Sequence, residues 1–180
     1  MKKQSVLRIL FFSLFLIPLA GCDSNEPDEP EDIIGSFSIE ITGDVMQTIS
    51  GGQAAFGAAS DAQTGISGFG LSLGNTTGGT TAQSLIITRK GNRPGNGSHA
   101  ITNFDLTTDA DTIGDDEFIA VYSSGTDVFY ANGGSITITE SSDTRLAGSI
   151  NITAESVLSE NGQITISGSF TAIGLDVGAQ

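Results

Sequence analysis

The chain has 180 residues, 21 of them acidic and seven basic, for a formal net charge of −14. That balance excludes nucleic acid and bare anionic membrane as electrostatic partners, because both repel it. A single cysteine and a single histidine exclude an internal disulfide and any metal site built on several histidines of one chain.

Lys2, Lys3 and Arg8 make a positive start, and Ile9 to Ala20 is apolar apart from Ser13 and Pro18. About a dozen residues fall short of the roughly 20 that a spanning helix needs, so residues 1–21 read as a signal peptide. Cys22 closes the string Leu19-Ala20-Gly21-Cys22. Its thiol is the one group in the chain able to form a thioether to diacylglycerol, and small Ala20 and Gly21 let a peptidase approach the backbone. The string resembles the lipobox of bacterial lipoproteins, which implies cleavage before Cys22, lipidation of Cys22, and the membrane as a partner reached through that lipid. At about 0.8 kcal/mol per buried methylene, two or three acyl chains hold such a protein in place essentially permanently. Cleavage would remove Lys2, Lys3 and Arg8 but no acidic residue, leaving four basic against 21 acidic residues and a net charge of −17.

Residues 22–34 form a lipidated acidic tether. Asp23 to Asp32 holds six acidic residues and two prolines, a composition that cannot bury enough apolar surface to fold. Extended, it spans on the order of 30 Å. Acidic residues after a lipidated cysteine resemble the surface-export signal of Bacteroidetes-type lipoproteins, which implies the outer membrane, on its surface or periplasmic face. Asp23 directly after Cys22 resembles instead an inner-membrane retention signal of enterobacteria, and the leaflet stays open.

From Gly35 the chain breaks into short alternating runs bounded by Gly, Asn, Asp and Ser. Phe37, Ile39 and Ile41 alternate with Ser36, Ser38 and Glu40, the period of a half-buried strand. Further runs lie at 54–58, 66–73, 84–89, 117–123, 127–131, 135–140, 146–154 and 163–173. No sustained helical stripe occurs. The expectation is an all-β fold over residues 35–173, an antiparallel sandwich or small barrel of about nine strands, followed by a tail at 174–180.

Gly134-Ser135-Ile136-Thr137-Ile138-Thr139, Gly148-Ser149-Ile150-Asn151-Ile152-Thr153 and Gly162-Gln163-Ile164-Thr165-Ile166-Ser167 recur at an interval of 14 residues. A stacked solenoid is one reading. The preferred one is a C-terminal hairpin meander, with Asn132-Gly133 and Asn161-Gly162 placed as type I′ turns. It puts Ile136, Ile138, Leu146, Ile150, Ile152, Ile164, Ile166 and Phe170 inward and the intervening Thr and Ser outward. These repeats, with Phe129-Tyr130, Arg145-Leu146 and Gly168-Ser169-Phe170, resemble the C-terminal half of small uncharacterised β-rich lipoproteins of Bacteroidetes-like bacteria. The resemblance covers the leader and residues 117–172; it implies fold and location and carries over no catalytic residue.

Groups able to do chemistry are sparse. His99 follows Gly95-Asn96-Gly97-Ser98 with no sequence-evident partner for general-base work. Asp105, Asp109, Asp111, Asp115, Asp116 and Glu117 crowd 13 residues, and carboxylates in a loop are what calcium requires. Asp109, Asp111, Asp115 and Asp116 are the candidate metal ligands. Ile113 and Ala120 stand where an EF-hand places ligands, so that motif fails and a solvated acidic loop competes. Arg89, Lys90 and Arg93 form a positive knot before Pro94, set either to pair with the chain's own acidic loop or to dock an acidic partner or glycan.

The expectation from sequence is a non-catalytic binding or scaffold module anchored by lipid in the cell envelope, with an envelope protein or a glycan as partner and no cofactor other than a candidate calcium ion. A lipocalin-like carrier of an apolar ligand needs an unfilled barrel. A hydrolase needs His99 or the carboxylates to converge in a cleft.

Overall fold

Strand β1, Ser36–Gly43, buries Phe37, Ile39 and Ile41 and turns Ser36, Ser38 and Glu40 to solvent, as a period-two pattern dictates. The computed structural model describes residues 35–60, 67–75, 83–104, 113–125, 127–158 and 162–175. The leader, Cys22, the tether, Asp105, Asp109, Asp111, Asn161 and residues 176–180 lie outside them. Nine more strands follow β1: β2 Gln47–Ser50, β3 Gln53–Ser60, β4 Ser67–Asn75, β5 Gln83–Lys90, β6 Gly97–Ala100, β7 Phe118–Ser124, β8 Asp127–Ser141, β9 Arg145–Ser156 and β10 Gln163–Gly174. The described residues contain no helix.

Seven strands close a ring in the order β3-β4-β5-β7-β8-β9-β10 and back to β3. Neighbours are antiparallel throughout except at the closing seam, where Ile173 pairs with Ala55 and Gly174 with Phe56 in parallel. The fold is therefore the small all-β barrel among the expected alternatives. Two additions fill places where ring strands diverge. β1, with β2 on its far edge, runs along Ile164–Thr171 of β10, just short of the β3 seam. β6 runs along Ser135–Ile138 of β8, beyond the point where β7 leaves it at Tyr130.

Inward side chains from all ring strands and from β1 and β2 meet in one apolar cluster, and no polar or charged residue is buried among them. All eight residues expected to face inward on the C-terminal meander do so, each at most 3% exposed. β8, β9 and β10 pair antiparallel in sequence order, so the 14-residue repeat is a meander and not a solenoid.

The strand inventory differs from expectation in two ways. Residues 127–131 and 135–140 belong to one strand, β8, and Asn132-Gly133 is not a hairpin turn. The pair sits at a register shift between Ala131 and Gly133, a bulge that inserts one residue and bends the strand without ending it. Gly134 follows with φ of 117°, and a Cβ there would stand 2.2 Å from the Asn151 carbonyl oxygen, so close strand approach explains this glycine. β2 and β6 were not anticipated: four residues each, with Ile49 the one aliphatic side chain that β2 buries, they offer too little alternation to detect.

Candidate functional site

Phe118, fully buried at the start of β7, organises the basic knot and the histidine. The Arg89 guanidinium lies 5.4 Å from the Phe118 ring centre and donates from Nη2 to Asp116 Oδ1 at 3.0 Å. Lys90 Nζ donates to the Ile113 carbonyl at 2.9 Å, and Arg93 Nη1 meets Asp143 Oδ1 at 2.6 Å. The three cations thus serve the protein's own loops, with exposed carboxylates that contribute little each. His99 lies in β6, its ring 5.4 Å from that of Phe118 and its Nε2 3.0 Å from the Gly95 carbonyl oxygen. It has a packing role, and no carboxylate accompanies it in these contacts.

Of the four candidate calcium ligands, Asp109 and Asp111 lie outside the described residues. Asp115 and Asp116 are exposed in the turn before β7. Asp116 is engaged by Arg89, and Glu117 Oε2 accepts the Gly114 N–H at 2.7 Å. Among the described residues no three His, Cys, Asp or Glu side chains are grouped to hold a metal ion.

A different feature emerges on the outer wall. Register places Ser50, Ser38, Ser169, Ser149, Thr137 and Ser98 side by side across β2, β1, β10, β9, β8 and β6. Hydroxyls in such a row repeat at the strand spacing of about 4.8 Å. The next row reads Thr48, Glu40, Ser167, Asn151 and Ser135, and the one beyond it Thr42, Thr165 and Thr153. Across these three rows Glu40 is the single charge, on a chain with 21 acidic residues.

The last row borders an open groove of about 240 Å³ lined by Thr42, Gly43, Asn132, Thr153, Ala154, Gln163, Ile164 and Thr165. Three of its polar side chains are connected, through Glu155 beside it. Thr153 Oγ1 donates to Asn132 Oδ1 at 2.7 Å, Asn132 Nδ2 to Glu155 Oε1 at 2.7 Å, and Gln163 Nε2 to the same oxygen at 3.2 Å. Asn132 is the extra residue of the β8 bulge, and the bulge is what aims its amide along the face. Tyr130 pairs with Glu155 at the end of the groove, its ring held edge-on by Phe104 at 5.5 Å.

Linked amides, hydroxyls and a carboxylate, with donors and acceptors fixed in direction, make a hydrogen-bonding surface. Sequence reading placed these Thr and Ser residues outward but did not find the groove, since residues 42, 132, 153 and 165 are brought together by register alone. No family model matches the chain, and no curated protein or solved structure matches it.

Proposed function

We propose that the chain is a cell-envelope lipoprotein, held by lipid on Cys22, whose barrel is a non-catalytic binding module working through its exterior. The anchor rests on Leu19-Ala20-Gly21-Cys22 behind the basic and apolar leader. The binding reading rests on one observation: among the described residues no polar or charged residue is fully buried, and Ser and Thr side chains are arrayed in register on the outer wall. An interior occupied by a continuous apolar cluster gives a carrier reading nothing to build on. His99 is taken up in packing and a bond to the Gly95 carbonyl, and Asp116 and Glu117 in local pairs. The outer membrane is the proposed location.

Metabolic labelling with an alkyne fatty acid tests the anchor. Wild-type protein is expected to take the label into the membrane fraction, and Cys22→Ser to take none. Equal labelling of the two proteins refutes the lipid anchor.

A further inference from the structure

We infer that β1 and β2 form an exchangeable arm whose partner is a second copy of this chain, two molecules passing their arms to each other across the β10 edge. The arm can leave without opening the ring. The ring closes directly between β10 and β3, through Ile173 with Ala55 and Gly174 with Phe56. β2 pairs with β1 alone, and β1 pairs with the ring only along Ile164–Thr171 of β10. A single covalent link, Gly51-Gly52, joins the arm to β3.

What the arm vacates selects its occupant. Withdrawal bares the β10 edge over eight residues, together with the part of the apolar cluster against which Phe37, Ile39, Ile41 and Ile49 are buried. An open strand edge is a template for another chain. The arm of a neighbour restores the same register, the same buried side chains and the bond from Gln47 to Tyr122, so exchange conserves the contacts of the arm and alters only the link. That link has the freedom to change. Gly51 and Gly52 hold φ of 75° and 76°, a left-handed pair that sets the closed position of the arm, and glycine reaches extended backbone without steric penalty. Gly51 is exposed, and a Cβ added to it would meet nothing within 4 Å. Repulsion between copies of net charge −14 opposes the dimer and is screened by salt.

The test uses the full chain in mild detergent with Cys22→Ser, which removes the native thiol and frees the readout from any lipid. Ser38 and Ser169 are exposed register partners across β1 and β10, as are Ser149 and Ser169 across β9 and β10. Cysteines at directly paired positions of neighbouring strands are close enough to be bridged on oxidation. The protein is refolded from urea at about 1 μM and at about 1 mM, in low and high salt, then oxidised and resolved on non-reducing gels. Ser38→Cys with Ser169→Cys is expected to give a covalent dimer whose share rises with concentration and with salt. Ser149→Cys with Ser169→Cys, on strands that follow each other in the chain, is expected to stay monomeric throughout. Gly51→Val finds room for its side chain but is strained at positive φ, and is expected to raise the dimer-to-monomer ratio at fixed concentration by about tenfold or more. A bridge between positions 38 and 169 that stays within one chain at both concentrations overturns the inference. So does a control pair that also bridges between chains, which marks aggregation, or a folded Gly51→Val that leaves the ratio unchanged. Should a thermal melt show Gly51→Val unfolded, the concentration series with the native link decides alone.

Discussion

Gln83 Nε2 donates to Gln47 Oε1 at 2.8 Å, joining the first residues of β5 and β2, two strands that share no backbone pairing. Gln47 Nε2 in turn donates to the hydroxyl of Tyr122, which is 1% exposed within the apolar cluster. Two amides thereby link β5 and β2 to β7 and, with Ser124, supply partners for a buried phenol.

Alkaline pH should find this point. Burial raises the Tyr122 pKa above the ordinary 10.0, while its hydrogen bonds with Ser124 and Gln47 act the other way. A group raised in the folded state stabilises the fold fully below its unfolded pKa, and loses that contribution as pH climbs from about 10 through the folded value. Wild type is expected to lose stability over that window, and Tyr122→Phe to lose less of it. At neutral pH the same substitution should cost about 1 kcal/mol, the worth of an ordinary hydrogen bond. Urea unfolding at a series of pH values measures both.

Strand faces on the meander are tested by charge. Ile150 and Ile166 are 3% and 0% exposed, whereas Asn151 faces solvent between them in the register. Ile150→Asp and Ile166→Asp should each cost several kcal/mol against a total stability of roughly 5–15, and Asn151→Asp close to nothing. Thermal melts that rank Asn151→Asp with Ile150→Asp contradict the inward and outward assignment.

Gly134→Ala should destabilise by roughly 1–3 kcal/mol, because its φ of 117° and the 2.2 Å approach to the Asn151 carbonyl leave no room for a methyl group. Gly95→Ala meets nothing within 4 Å and should be nearly neutral. The contrast is read from denaturant midpoints.

Calcium is expected to leave the melting temperature unchanged. A site that bound it would stabilise the fold by about 2.7 kcal/mol at a hundredfold excess over Kd. Asp116 already pairs with Arg89, and Glu117 holds the Gly114 N–H. A calcium-dependent rise that vanishes in the double variant Asp111→Asn with Asp115→Asn would establish the acidic loop as a metal site.

Phe37, Ile39 and Ile41, or Ile150 and Ile152, reveal their strands because alternation is a local property, and the all-β class follows from their number. What local pattern does not contain is who neighbours whom. Asn132-Gly133 is a strong turn signal on its own, yet the ladder to β9 continues on both sides of it, and pairing outweighs the turn preference of two residues. β6 exists because a space opens between β7 and β8, not because Gly97 to Ala100 favours a strand. The groove was illegible for the same reason: Thr42 and Thr165 are 123 residues apart in sequence and adjacent in the sheet.

That long-range pairing also sets the order in which the molecule can be made. The β1–β2 hairpin joins the ring through β10, and the ring closes only when Ile173 and Gly174 of β10 reach β3. A nascent chain emerging from its N-terminus can therefore pair β1 with β2 alone, and its β10 edge stays open until almost all of the chain has been synthesised. Topology of this kind folds slowly, since distant ends must meet before the contacts reward it. Were the leader to direct export as proposed, such delay would keep the polypeptide threadable through a translocation pore until its last strand had followed.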